Sequence, residues 1–275
     1  MSSLRPRSEY SAVGQCIYCG DPNDLTDEHI IPESLGGRLV LPKASCKACA
    51  TTTGRFEQIV ARKMYLWPLR SRIGISGKRK HKKQRPTHWP AELVDGSEVE
   101  KIQVEIGKLP RLYVVIEMPP AGIIAGEAPR ETNPELKLHI KGDKSEMAQF
   151  VQEQDAGKLQ TQHFFDWNAF NRLLAKIAHA YSVAVLGFDG LEYLLQPMVR
   201  GSYSMFSYLV GRVSAEREIL PKGTDLALGI RAIRGEAFLS VKTSLLGGRT
   251  PTYEIVSARI TDLPLLEQKI RPTAE

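Results

Sequence analysis

All four cysteines of the chain lie within its first fifty residues, as Cys16-x2-Cys19 and Cys46-x2-Cys49. Between the pairs runs Thr26-Asp27-Glu28-His29-Ile30-Ile31-Pro32, followed by Gly36-Gly37. Thiolate sulfurs in two CxxC pairs suit a tetrahedral zinc ion, and four of them fill its coordination sphere. Such a zinc has no open position for water, so its expected role is structural. A disulfide framework fits poorly, because everything after Cys49 lacks cysteine altogether. A thioredoxin-like redox motif would need one CxxC in a βαβ context, not two around a turn-rich stretch. The acid-His pair Glu28-His29, enclosed by the cysteines, points to a second and reactive centre.

A charge feature follows. Lys78, Arg79, Lys80, Lys82, Lys83 and Arg85 crowd into eight positions without an acid, and between Arg55 and Arg85 the one acidic residue is Glu57. The net charge of the 275-residue chain is +6. A concentrated basic field attracts polyanions, above all the phosphates of nucleic acid. A charge run alone is equally compatible with a solvated linker; beside a zinc module it favours nucleic acid. Trp67 and Trp89 flank it and could stack on bases, although the spacing around Trp67 also suits a core anchor.

The elements that must position these residues read as follows. Residues 1–14 form a polar tail, and residues 15–70 a zinc module. In that module Cys19 to Asp24 is a knuckle-like turn, Leu25 to Pro32 a strand, and Arg38 to Leu41 a second strand after the glycine turn. A helix is expected after Thr51-Thr52-Thr53, whose hydroxyls could cap it, with Phe56, Ile59, Val60, Lys63, Met64 and Trp67 at helical spacing. Residues 71–90 read as a basic linker. Residues 91–275 form a larger region of unassigned role. Alternation marks strands near 101–106, 112–118 and 136–141, and Ser145 to Gln154 reads as a short helix. Asp166-Trp167 opens the strongest helix, with Phe170, Leu173, Leu174, Ile177, Ala178, Tyr181 and Val185 on one face and an end at Gly187. Leu226 to Arg231, Phe238 to Thr243 and Tyr253 to Ile260 read as further strands. The fold class is α+β with an antiparallel sheet in the larger region.

The order Cys16-x2-Cys19, Glu28-His29-Ile30-Ile31-Pro32, Gly36-Gly37, Cys46-x2-Cys49 resembles the HNH endonucleases, in the ββα-metal form with a four-cysteine zinc. The resemblance implies that His29 closes the first strand and serves as general base on the water that attacks a phosphodiester. Imidazole suits that task because it titrates near neutral pH. It also implies that Glu28 binds a catalytic divalent ion, and a hard carboxylate suits Mg²⁺ or Mn²⁺. DNA is the implied substrate. Two positions depart from the family pattern. Ala50 stands where a His or Asn ligand usually follows the second CxxC, and Arg38 to Leu41 lacks the Asn that braces the loop. The second ligand is therefore open among Asp27, Thr53 and Glu57, with Glu57 preferred.

Two function classes compete: a metal-dependent DNA endonuclease, and a non-catalytic zinc-dependent DNA-binding protein with a degenerate site. A third is an interaction protein that zinc merely folds. The start of the chain has no apolar signal-like stretch, and no apolar run is long enough to span a membrane. The expected location is a reducing cytoplasm that keeps thiolates free for metal. His179 reads as a core or helix-end residue.

Overall fold

In the computed structural model, the residues described are 8–64, 70, 75, 88–105, 107–108, 113–130, 137–141, 144–154, 157–160, 165–213, 219–221 and 223–270. The basic run Lys78, Arg79, Lys80, Lys82, Lys83 and Arg85 and the neighbouring Trp67 lie outside them. The strands are β1 (Ser8–Glu9), β2 (Leu25–His29), β3 (Leu39–Cys46), β4 (His88–Asp95), β5 (Glu98–Glu105), β6 (Tyr113–Glu117), β7 (Lys137–Lys141), β8 (Lys158–Gln160), β9 (Leu191–Tyr193), β10 (Val210–Arg212), β11 (Leu226–Ile233), β12 (Glu236–Thr243) and β13 (Tyr253–Ile260). The helices are α1 (Lys47–Arg62), α2 (Gly122–Ala125), α3 (Lys144–Glu153), α4 (Trp167–Leu186), α5 (Gln196–Arg200), α6 (Phe206–Leu209) and α7 (Leu263–Ile270).

The N-terminal module is a β2-β3 hairpin followed by α1. Its hairpin loop needs both glycines. Gly36 adopts φ 91° to cap a short 3-10 turn, and a Cβ on Gly37 would stand 1.8 Å from the Ile31 carbonyl oxygen. Residues 8–14, expected as tail, instead run along β3. Ser8 and Glu9 pair with it in parallel, Tyr10 and Val13 donate to the Val40 and Pro42 carbonyls, and both side chains pack on the core.

Helix α1 starts at Lys47, earlier than its threonines suggested. Cys46 takes the N-cap position in extended conformation. Thr51, Thr52 and Thr53 lie inside the helix, where their hydroxyls donate back to the carbonyls of Lys47, Ala48 and Ala50. The cysteine knuckle, not a hydroxyl cap, fixes where this helix begins.

The larger region is built on an antiparallel sheet in the order β10-β13-β12-β11, with β9 also on β13. Smaller antiparallel sheets join β5-β4-β8 and β6-β7. Helix α4 joins the two regions. Asp166 caps it by accepting from the Ala169 amide at 2.8 Å, and Gly187, at φ 70°, ends it. Its burial is not confined to one face. Residues 169–171 and 173–180 are all buried, while Val185, expected inside, is 40% exposed. A helix buried all round needs partners on more than one side. Here α1 and α5 pack against it along with β12 and β13, and one continuous core runs from Tyr18, Ile30 and Phe56 through Leu173 and Ile177 to Tyr253 and Ile255.

Candidate active site and metal centre

The thiolate cluster is local. The first pair sits on a knuckle in which the Gly20 amide donates to the Cys16 carbonyl and the Cys16 amide to that of Asp21. Positive φ at Gly20 (79°) and Asp24 (50°) turns the chain back toward β2. The second pair brackets the start of α1, with Cys46 as cap and Cys49 in the first turn. Backbone amides at the helix start and the helix dipole favour negative sulfur there: against the upward push of burial, the Cys49 amide and the neighbouring thiols hold the Cys46 thiol below its ordinary value. The four Sγ atoms lie within 4.8 Å of one another, with Cys19 and Cys46 at 3.7 Å. A zinc with bonds of about 2.3 Å spaces its sulfurs about 3.8 Å apart, so the donor set fits. Burial pushes the Cys16 and Cys49 thiols up, and for Cys49 the charge of Cys16 adds to this. Thiolates packed this way call for a cation to offset their charge. The four cysteines are thus positioned to bind a metal.

The second centre is assembled from three distant stretches. Glu28 and His29 are consecutive in β2, so they project to opposite sides of the strand. Glu28 points inward and is 5% exposed, while His29 is half-buried at the strand end. Glu57 comes from the third turn of α1. The two glutamates converge on one cation, the ammonium of Lys176 in α4. Lys176 Nζ stands 2.6 Å from Glu28 Oε1 and 2.9 Å from Glu57 Oε1. It also donates to the His29 carbonyl and lies 3.4 Å from that of Ile30.

Lys176 is 0% exposed. Burial works against its charge, but the two carboxylates outweigh that and hold its pKa above the usual lysine value. Two carboxylates around one ammonium leave a surplus negative charge. Burial, together with the charge on Glu57, accordingly raises the Glu28 carboxyl against the pull of Lys176. Tyr18, fully buried, shares this chamber. Its hydroxyl pKa is raised well above the ordinary value by burial and then by the charges of Glu28 and Glu57.

These residues do not fit a divalent ion while Lys176 is in place. An ammonium has three N–H donors, and Glu28, Glu57 and the His29 carbonyl take all three. Ala50, a methyl side chain, adds no donor atom. Of the other residues considered as second ligands, Asp27 is exposed on β2 with Oδ1 accepting from the Lys43 amide, and the Thr53 hydroxyl is turned to its own helix.

Sequence reasoning missed Lys176, yet a signal was available. Arg172, Lys176 and His179 recur at i, i+4 and i+7 in a largely apolar helix, and they are the three residues there whose side chains can carry positive charge, all on one face. All three meet the N-terminal module. The Arg172 guanidinium lies 5.0 Å over the Phe56 ring and donates to the Val199 carbonyl. His179 Nε2 is 2.7 Å from the Ile17 carbonyl, with its ring against Tyr18 and Tyr193. Burial lowers the His179 pKa to about 4, so it is a neutral donor to Ile17 at ordinary pH.

Residues 16–66 match the family model described as HNH endonuclease. No curated protein and no solved structure matches the chain. The N-terminal part is therefore an HNH-type module carrying a cysteine cluster, and a larger α+β region follows it. Among the described residues no helix is long and apolar enough to cross a membrane.

Proposed function

We propose that the protein hydrolyses DNA phosphodiesters at its HNH-type module, with His29 as general base. The observation that carries this reading is the position of His29: it ends β2, half-buried and reachable from solvent, within the stretch that matches the HNH endonucleases. An imidazole placed there can take a proton from water as the oxygen attacks phosphorus, while the leaving sugar oxygen is protonated from solvent. The thiolate cluster holds a structural zinc that fixes the knuckle and the start of α1, and so the two ends of the hairpin. The basic run at Lys78, Arg79, Lys80, Lys82, Lys83 and Arg85 supplies phosphate contacts, which makes binding fall steeply with salt. The cytoplasm, where thiols stay reduced, suits such a cluster.

The family resemblance gives the charge-stabilising task to Mg²⁺ or Mn²⁺ on Glu28. Two observations favour a second reading, in which the module binds DNA without cutting it: Ala50 removes one ligand, and Lys176 already takes the Glu28 carboxylate. Plasmid nicking separates the two. Under the proposal the wild type converts supercoiled DNA to open-circular or linear forms. His29→Ala slows this by at least about a hundredfold, the ordinary worth of a general base. Equal cutting by His29→Ala removes His29 from the mechanism. Salt-dependent binding with no cutting in Mg²⁺, Mn²⁺ or chelator establishes the second reading.

A further inference from the structure

We infer that the Lys176 ammonium is the resident cation of the Glu28–Glu57 site, a tethered substitute for the divalent ion, so that this site takes up no Mg²⁺ or Mn²⁺. The inference concerns binding and stands whether or not the module cuts DNA.

The geometry is that of a small oxygen cage. Two carboxylate oxygens, from β2 and α1, and two backbone carbonyls, from His29 and Ile30, surround one nitrogen. Carboxylate and carbonyl oxygens are the donors that Mg²⁺ and Mn²⁺ use. A cation delivered on a side chain arrives already paid for in translational entropy, since folding brings it there. Its stem leaves α4 in the middle of the buried face, between Leu173 and Ala180, each one helical step away and fully buried. To admit a metal ion, the ammonium would have to withdraw into that apolar packing and lose every oxygen partner, which is strongly unfavourable.

The cage also gives Lys176 a positioning role. By accepting a hydrogen bond from the ammonium, the His29 carbonyl ties the end of β2 to α4, so the larger region sets the orientation of the strand that presents the imidazole. Glu28 then serves as an anchor for Lys176, not as a metal ligand. The hydrolysis proposed for His29 then has no divalent ion on Glu28 to draw on.

The test is Mn²⁺ titration of the full-length, zinc-loaded protein, followed by the paramagnetic resonance signal of free Mn²⁺. Wild type should remove no Mn²⁺ that Glu28→Gln restores to solution. Lys176→Met vacates the cage while keeping the apolar stem. It should bind one Mn²⁺ at least about tenfold more tightly than wild type, and Lys176→Met/Glu28→Gln should lose that ion. A wild-type protein that binds one Mn²⁺, lost on Glu28→Gln, overturns the inference, as does a folded Lys176→Met that gains none. Should Lys176→Met fail to fold, the wild-type and Glu28→Gln arms still decide.

Discussion

The N-terminal module contains two clusters built on opposite principles. The thiolate cluster is self-contained: its four sulfurs come from two CxxC pairs on a knuckle and a helix start, with β2 and β3 between them. The carboxylate cluster is completed from outside, by a lysine 147 residues beyond His29. One collects negative charge for a free ion. The other collects it for a side chain that is already covalently present. The difference teaches that a metal-like donor set does not by itself mean a metal; what matters is whether the fold has already delivered a cation.

The largest expected effect breaks the first cluster alone. Structural zinc in small modules contributes apparent binding energies of about 10–16 kcal/mol, most of which is folding energy. Stripping the metal with chelator should expose residues 16–62 to rapid hydrogen exchange while β11, β12 and β13 stay protected. Unchanged exchange in the module after complete metal removal would show that the thiolates do not hold it together.

The next effect breaks the second cluster. Lys176→Ala leaves Glu28 buried beside Glu57 without a counter-charge, which costs about 3–5 kcal/mol in comparable buried pairs. Adding Glu28→Gln should recover part of that loss, and urea unfolding of the single and double variants measures it. A Lys176→Ala protein as stable as wild type would mean that the ammonium is not seated in the cage.

A third prediction sharpens the comparison through the other tether of α4. His179 has a folded pKa of about 4, below its ordinary 6.5, so the unfolded chain binds the proton first as pH falls. Stability from this group is complete above pH 6.5 and is lost as pH drops toward 4, by about 3 kcal/mol. Glu28 works in the opposite direction: its raised folded pKa makes stability fall as pH rises through that value. The difference between wild type and His179→Gln isolates the histidine. It should shrink by that amount between pH 6.5 and 4, and a difference flat with pH would place a charged or solvated His179 in the folded protein.

The smallest effect acts on the start of the helix that carries both tethers. Asp166→Ala removes the cap of α4 and should cost about 1 kcal/mol in urea unfolding at neutral pH, most of which Asp166→Asn should recover. An Asp166→Ala protein as stable as wild type would mean that the side-chain cap does not hold the helix start.

Local features were legible in the sequence and remote ones were not. The cysteine spacing, the glycine turn, the opening of α4 at Asp166-Trp167, the Gly187 stop and the three long strands β11, β12 and β13 all rest on residues close together in the chain, whereas the three-residue β9 and β10 carry no such local pattern. Helix α1 begins earlier than its threonines suggest, because Cys46 occupies the cap position. Glu28, with Glu57 preferred among three candidates, reads from the sequence as a divalent-ion site; that the cation between them is an ammonium depends on a long-range packing of α4 that periodicity cannot reveal. A lysine inside an apolar helix reads as a solvated break until the opposing carboxylates are known. Residues 8–14 look polar, yet Tyr10 and Val13 give them a hydrophobic grip on the core.

The most direct test of the two-cluster account is a metal count on the full-length wild-type protein after dialysis against Zn²⁺ and excess Mn²⁺. The account predicts one zinc per chain, held by Cys16, Cys19, Cys46 and Cys49, and no stoichiometric manganese. One zinc together with one manganese that disappears in Glu28→Gln would contradict it, because Lys176 would then have yielded its place to a metal.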